Sequence, residues 1–260
     1  MRCGSGGTPA GSLVDGKVLD ASAVGTALRQ LLARTEISET RALIAASDSV
    51  ATFRVLKLPP AASDQDVDAA VGRELPLDPE RMSTRWLSLS SDQNFRLVYA
   101  VAWDRSLIKN VAEAARSAGL DPIAIDLKSA CVARAVAEPA YVMVDIASTP
   151  ADIVLVDGHV PQVCHSVHLD AVAGDNLGQA LAGPLRTVLR FYERRRDTQF
   201  HPSAPILIAG EQMLSAHAAT TLSQQLEHPV VPLPGPTRLP PEIRFATYLT
   251  CLGLLMRRAT

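Results

Sequence analysis

The 260-residue sequence predicts a mixed α/β fold of two lobes, each a mixed sheet flanked by helices. Three observations carry that expectation. Between residues 42 and 121, short β-rich runs alternate with amphipathic helices. Between 141 and 169, three apolar runs follow one another with only tight turns between them. After residue 176 a long helix, a buried strand and a further helix close the pattern, and no solenoid-type repeat or long linker interrupts the chain.

The first dozen residues, MRCGSGGTPAGS, carry no periodicity and read as a loose leader. Asp20 is placed to cap a helix in which Val24, Ala27, Leu28, Leu31 and Leu32 recur at helical spacing to about Ala33. A short strand is expected at Ala42 to Ala46, and Ser47 and Asp48 then turn the chain into VATFRVLKL, closed by Pro59 and Pro60. Ser63 with Asp66 three residues on is a capping-box start, and Val67, Ala70, Val71 and Leu75 form one face of a helix that Pro76 stops. In FRLVYAVAW the residues Phe95, Leu97, Tyr99, Val101 and Trp103 alternate onto one face, the apolar side of a half-buried strand. Ile108, Val111, Ala112 and Ala115 mark another helix, ended by Gly119 where a left-handed cap is wanted.

A strand, PIAID, and a small-residue helix, LKSACVARAV, lead into a meander at 141 to 147, 151 to 157 and 160 to 169, with turns at Thr149-Pro150 and Asp157-Gly158. A helix then runs to about Arg196, the strand PILIA ends at Gly210, and a helix from Glu211 reaches about Leu226. A Pro-rich loop separates these from the last helix, IRFATYLTCLGLLMRR.

Composition excludes several functions. Apolar residues at 47% and charged residues at 20% suit a globular protein. A net charge of −2 and a pI near 6.3 give no electrostatic footprint for nucleic acid. The one dense basic run, Arg194 to Arg196, reads as the solvated end of a long helix. No stretch approaches the ~20 apolar residues of a spanning helix, so membrane association is expected only through a partner. The four cysteines lie far apart with no CxxC pair, which suggests reduced thiols rather than disulfides or a zinc knuckle.

Most candidate chemistry fails on geometry. In CHSVH (Cys164 to His168) a strand would point His165 and His168 to opposite faces, with Cys164 roughly 13 Å from His168, so no metal site is expected there. GSGG lacks the Lys-Ser or Lys-Thr of a P-loop, there is no GxSxG or HExxH, and Cys131 sits in an apolar helix without a nearby His. No catalytic residue is assigned.

Asp145 is different. A carboxylate at a strand end, followed by small residues in a tight hairpin, suits either a plain turn or a site where backbone N–H groups face a phosphate while the Asp orients a hydrated Mg²⁺. Downstream, Gly174, Asp175 and Asn176 open a helix, and PILIAG delivers Gly210 to another helix start, positions where nucleotides dock in two-domain folds.

With these segments in order, the chain resembles the PilM family of type IV pilus assembly proteins, relatives of the division protein FtsA with an actin-like ATPase fold. The resemblance rests on the succession VLKLPP, a small α+β block, GLDPIAIDLKSACVARAV, VMVDIASTPADIVLVDGHV, AGDNLGQAL, PILIAG and ATYLTCLGLLMRR, from about Leu13 onward. It implies an actin-like two-lobe fold with an inserted FtsA/PilM-type subdomain, N-terminally incomplete. Residues 1–48 would be the remnant of the first lobe, 49–121 the insert, 122–138 the return to the first lobe, 139–240 the second lobe, and 241–260 a helix packing back toward the first.

The resemblance also implies a phosphate hairpin at Asp145, Ile146, Ala147, Ser148 and Thr149, an adenosine contact at Ala209, Gly210 and Glu211, and ATP and Mg²⁺ as cofactors. Departures count against their use. The 260 residues start after the position of the family's first phosphate hairpin, so either the gene start lies further upstream or half the phosphate clamp is lacking; Ala147 and Glu211 stand where glycines are expected, and Pro184 falls where a ribose-facing Glu is usual. The expected function is therefore a cytoplasmic scaffold of the pilus inner-membrane platform, peripheral to that membrane. It would bind the cytosolic tail of a PilN-like protein, and further platform proteins, through a degenerate, non-enzymatic ATPase fold. A working ATPase and a GspL-like component of type II secretion are the alternatives. An incomplete first-lobe sheet would leave an open edge, so poor solubility of the isolated chain is expected.

Overall fold

The computed structural model describes every residue except 1, 76, 77, 92, 147–150, 170–175, 211–213, 236–238, 241, 242 and 258–260. The chain divides into two compact units, residues 1–127 and 128–260.

In the first unit, β1 (Leu13–Val14) and β2 (Lys17–Val18) form a small antiparallel hairpin. It turns through Asp15 and Gly16, both at positive φ (48° and 74°). Asp-Gly is a favoured pair for such a two-residue turn. α1 (Ala21–Arg34) follows, with the Asp20 carboxylate accepting the Ala23 N–H at 2.9 Å as the sequence suggests. After β3 (Arg41–Ala46) and β4 (Ala51–Leu58) comes α2 (Asp64–Glu74). Its capping box is complete, Ser63 N–H donating to Asp66 Oδ2 at 2.8 Å and Asp66 N–H to Ser63 Oγ at 3.3 Å. β5 (Met82–Ser91), β6 (Arg96–Asp104), α3 (Arg105–Ser117) and β7 (Asp121–Leu127) complete the unit. β4, β6 and β5 make an antiparallel sheet in that order, while β3 and β7 pair in parallel.

One expectation fails here. The alternation of Leu97, Tyr99, Val101 and Trp103 marks the less buried face of β6, whereas Val98, Ala100 and Ala102 are wholly buried. α2 lies against this sheet through Val67, Ala70 and Val71. A helix can approach a sheet closely only over small side chains, so the alanines take the core and Tyr99 stacks on Phe53 instead, centroids 5.5 Å apart.

The second unit opens with α4 (Lys128–Ala135). The expected meander follows as β8 (Ala140–Ile146), β9 (Ala151–Asp157) and β10 (Val160–Val167). Then come α5 (Asn176–Arg196), β11 (Ile206–Gly210), α6 (Ala216–Leu226), β12 (Val230–Pro232) and α7 (Phe245–Leu255). The sheet order is β10-β9-β8-β11-β12, antiparallel through β10, β9 and β8 and parallel from β8 through β11 to β12.

Both faces of this sheet are covered, which explains why its strands read as nearly continuous apolar runs. Val142, Val144, Ile153, Leu155 and Ile206 pack under Leu177, Leu181 and Leu185 of α5 and Leu222 of α6. The alternate residues Tyr141, Met143, Val154, Val156 and Leu207 pack under Val132 of α4 and Leu249 of α7. At the crossing of α4 and α7, Gly253 lies so near Cys131 that a Cβ would meet the Cys131 carbonyl oxygen at 1.9 Å. Arg134 Nε donates to the Gly253 carbonyl at 3.1 Å and Tyr141 OH to the Val132 carbonyl at 3.1 Å, so α4 is held at three points along its length. That seat fixes where α4 begins.

Candidate functional site

Strand register builds a polar row at one end of the second unit's sheet. Asp145 of β8 is the Cα partner of Asp152 on β9, Ser166 of β10 partners Asp152 on its other side, and Ala209 of β11 partners Asp145. Partners across neighbouring strands present their side chains to the same face. By the alternation along each strand, that face is the one covered by α4 and α7.

Lys128, the first residue of α4, reaches into this row. Its ammonium lies 2.8 Å from Asp145 Oδ2 and 2.6 Å from Asp152 Oδ2. Ser166 Oγ donates to Asp152 Oδ1 at 2.6 Å. The side chains of Lys128, Asp145 and Asp152 are only 22%, 12% and 16% exposed. Burial pushes the Lys128 ammonium toward deprotonation, but the charges of Asp145 and Asp152, with their hydrogen bonds, outweigh it and raise its pKa above the ordinary lysine value. Lys128 is thus a permanent cation between two carboxylates.

This arrangement does not fit a divalent metal. Mg²⁺ needs near-octahedral oxygen ligands and keeps several waters, and it is bound through carboxylates free to turn toward it. Here Asp145 offers its Oδ2 to an ammonium shared with Asp152. A second cation at the same oxygen would face a positive charge a few ångströms away, at a place where little water screens the repulsion. Among the described residues, no group of three or more His, Cys, Asp and Glu is arranged to hold a metal ion.

The other expected site residues are only partly brought together. Gly210 ends β11 beside Asp145, its Cα partnered with Ile146, and its φ of 100° is a conformation that favours glycine. Asn176 is the first residue of α5, whose core contacts are on the opposite face of the sheet from the Asp145 row. Ala147, Ser148, Thr149, Gly174, Asp175 and Glu211 lie outside the described residues. Lys128, Asp152 and Ser166 were not singled out in the sequence. One signal was available, since Lys128 is one of four lysines and stands in the first turn of a helix of mostly small residues, where the helix dipole disfavours a cation unless an anion faces it.

The first unit carries a second feature, a groove of about 310 Å³ lined among others by Lys17, Ser49, Thr52, Asp78, Arg81 and Asp104. Its wall includes the first residues of β4, an edge strand of the described sheet. Asp104 caps α3 and holds Arg81 at 2.9 Å; the hydrogen bond from Ser106, helped by Arg81, takes its carboxyl down to about 2. Both charge signs therefore persist in the groove at neutral pH.

No protein-family model matches the chain, and no curated protein does. Solved structures do. A chain of the PilM-PilN type IV pilus biogenesis complex is similar over 96% of this chain and 88% of its own length, with a TM-score of 0.72 and 20% identity. The cytoplasmic domain of EpsL, an inner membrane component of the Vibrio cholerae type II secretion system, aligns over 79% of each chain at TM-score 0.47 and 13% identity. A Bacteroides thetaiotaomicron protein with an actin-like ATPase fold and unknown function aligns over 90% of this chain and 81% of its own, at TM-score 0.48 and 10% identity. At 20% identity the first of these likenesses establishes the fold. The mixed α/β architecture expected from the sequence is borne out, and it is that of the chain in the PilM-PilN complex.

Proposed function

We propose that this chain is a non-catalytic scaffold of a type IV pilus inner-membrane platform, binding the cytosolic tail of a PilN-like membrane protein and held at the inner membrane through it. The observation that carries this reading is the pairing of a PilM-like fold over nearly the whole chain with an Asp145 whose carboxylate is bound by Lys128. The fold supports the platform role. The ion pair argues against the enzymatic one, because the carboxylate that would orient a hydrated Mg²⁺ is engaged by the chain's own ammonium.

For the tail, the first unit's groove is the favoured place. An extended segment beside β4 would gain main-chain hydrogen bonds at a sheet edge, and Lys17, Arg81 and Asp104 would set its charge pattern and register. The test is capture of this chain by the immobilised cytosolic tail of a PilN-like membrane protein from the same organism. Wild type is expected to be retained. Arg81→Glu, which reverses one wall of the groove, is expected to reduce retention at least tenfold while leaving the circular dichroism spectrum unchanged. Absence of wild-type retention overturns the reading.

A further inference from the structure

α5 covers the second unit's sheet through Leu185, Val188, Leu189 and Tyr192, on the face opposite the Asp145 row. Its outer side carries groups that this packing does not use. Arg186, Arg190 and Arg194 recur every fourth residue, all exposed, as a ridge about 12 Å long. Phe191 stands beside the ridge at 42% exposure, and of the five phenylalanines it alone is exposed.

Helix stability does not account for the ridge. Arginines in the last turn, Arg194 to Arg196, suit the negative end of the helix dipole. Arg186 and Arg190 lie further back, beyond the reach of that end, and like charges four residues apart repel. Among the described residues neither side chain makes an ion pair or a hydrogen bond. The neighbouring acids are otherwise placed, since Glu193 Oε1 accepts the Phe200 N–H at 3.3 Å and Asp197 follows the helix end. From 186 to 197 five arginines stand against these two carboxylates, in a chain whose net charge is −2.

We propose that the ridge of Arg186, Arg190 and Arg194, with Phe191, is a docking surface for anionic phospholipid headgroups that lays α5 flat on a membrane. Charge complementarity selects an anionic partner. Shape selects a surface: the outer side of a helix is convex and gives an extended peptide no cleft, whereas a plane of phosphates meets the whole ridge at once. The ring selects lipid, because Phe191 can sink beneath the phosphates as the aromatic residues of interfacial helices do. A chain with a pI near 6.3 lacks the broad basic footprint of a nucleic-acid binder. Each arginine near an anionic surface strengthens binding about fivefold, so three give on the order of a hundredfold. Such a contact is weak and reversible, and a second tether multiplies it. The inference goes beyond the scaffold reading and stands without the tail.

The test is sedimentation of the full chain with vesicles, with no tail peptide present. Wild type is expected to pellet with phosphatidylcholine vesicles containing about 30% phosphatidylglycerol, not with phosphatidylcholine alone, and to be released as salt rises from about 0.05 to about 0.5 M. Arg186→Gln/Arg190→Gln is expected to bind more weakly by about tenfold or more, with its circular dichroism spectrum unchanged. Phe191→Ser should weaken binding severalfold and keep the salt dependence. Arg73→Gln/Arg116→Gln, the same loss of charge from exposed positions on α2 and α3, should bind as wild type does. Wild type that ignores anionic vesicles overturns the proposal. So does an equal loss in the two double variants, and so does retention on polyglutamate without vesicle binding, which assigns the ridge to an acidic protein partner.

A measurement on the native protein covers the case in which a variant does not fold. Anionic vesicles should protect Arg186 and Arg190 from phenylglyoxal, read by mass spectrometry, while Arg73 and Arg116 stay reactive. Equal protection of all four, or of none, overturns the proposal. Tail capture is a separate readout: its failure with the vesicle results as expected counts against the scaffold reading alone, and the reverse counts against lipid docking alone.

Discussion

Lys128→Met is expected to cost the folded chain about 3–5 kcal/mol, the range seen when one partner of a buried ion pair is removed. The size follows from what is left behind. With the ammonium gone, Asp145 and Asp152 face each other across neighbouring strands at 12% and 16% exposure, with the Ser166 hydroxyl donating to one of them. Adding Asp152→Asn removes the repulsion, so the double variant should recover a large part of the loss. Urea unfolding of the two single variants and the double gives the coupling directly. The pH dependence is fixed in sign. Lys128 is raised above its unfolded value, so its contribution is fully present below the ordinary lysine range and is lost only as pH rises through the higher folded value. The wild-type advantage over Lys128→Met should thus not decline between about pH 6 and pH 9. A loss of that advantage by pH 9 would place Lys128 outside the carboxylate pair.

Gly253→Ala should be nearly as damaging, at about 3 kcal/mol, the upper end of the usual cost of overpacking. The added methyl would lie 1.9 Å from the Cys131 carbonyl oxygen and 2.6 Å from its carbon. These are backbone atoms, which no rotamer change can move aside, so α4 and α7 would have to separate. Gly72→Ala in α2 is the matched control. Nothing lies within 4 Å of a Cβ there, and the residue is exposed, so the substitution should stabilise by up to about 1 kcal/mol through helix propensity. Equal and small shifts in the two melting temperatures would mean that α4 is not clamped as described. Because α4 carries Lys128, Gly253→Ala should also speed acetylation of that lysine.

Local signals in this sequence were readable where one residue determines its own neighbourhood. Asp20 caps α1, Ser63 and Asp66 close a capping box, and the 141 to 169 meander forms three antiparallel strands, because each depends on chemistry within a few residues. The buried face of β6 is not legible from alternation because burial there is set by α2, a partner more than twenty residues away, which selects Ala100 and Ala102 over the larger Tyr99 and Trp103. The short hairpin at β1 and β2 is announced in the sequence only by Asp15-Gly16, since strands of two residues show no alternation. The site was half legible. Asp145 stood out as a carboxylate at a strand end, but its meaning depends on Lys128, 17 positions upstream, and on Asp152 and Ser166 across two strand pairings. Only the register of the sheet and the seat of α4 bring those four together.

Calorimetric titration of the wild-type chain with Mg-ATP to millimolar concentration tests the central claim most directly. A scaffold whose Asp145 is held by its own lysine should give no binding heat above dilution and no release of phosphate. One-site binding heat with turnover of ATP would contradict it.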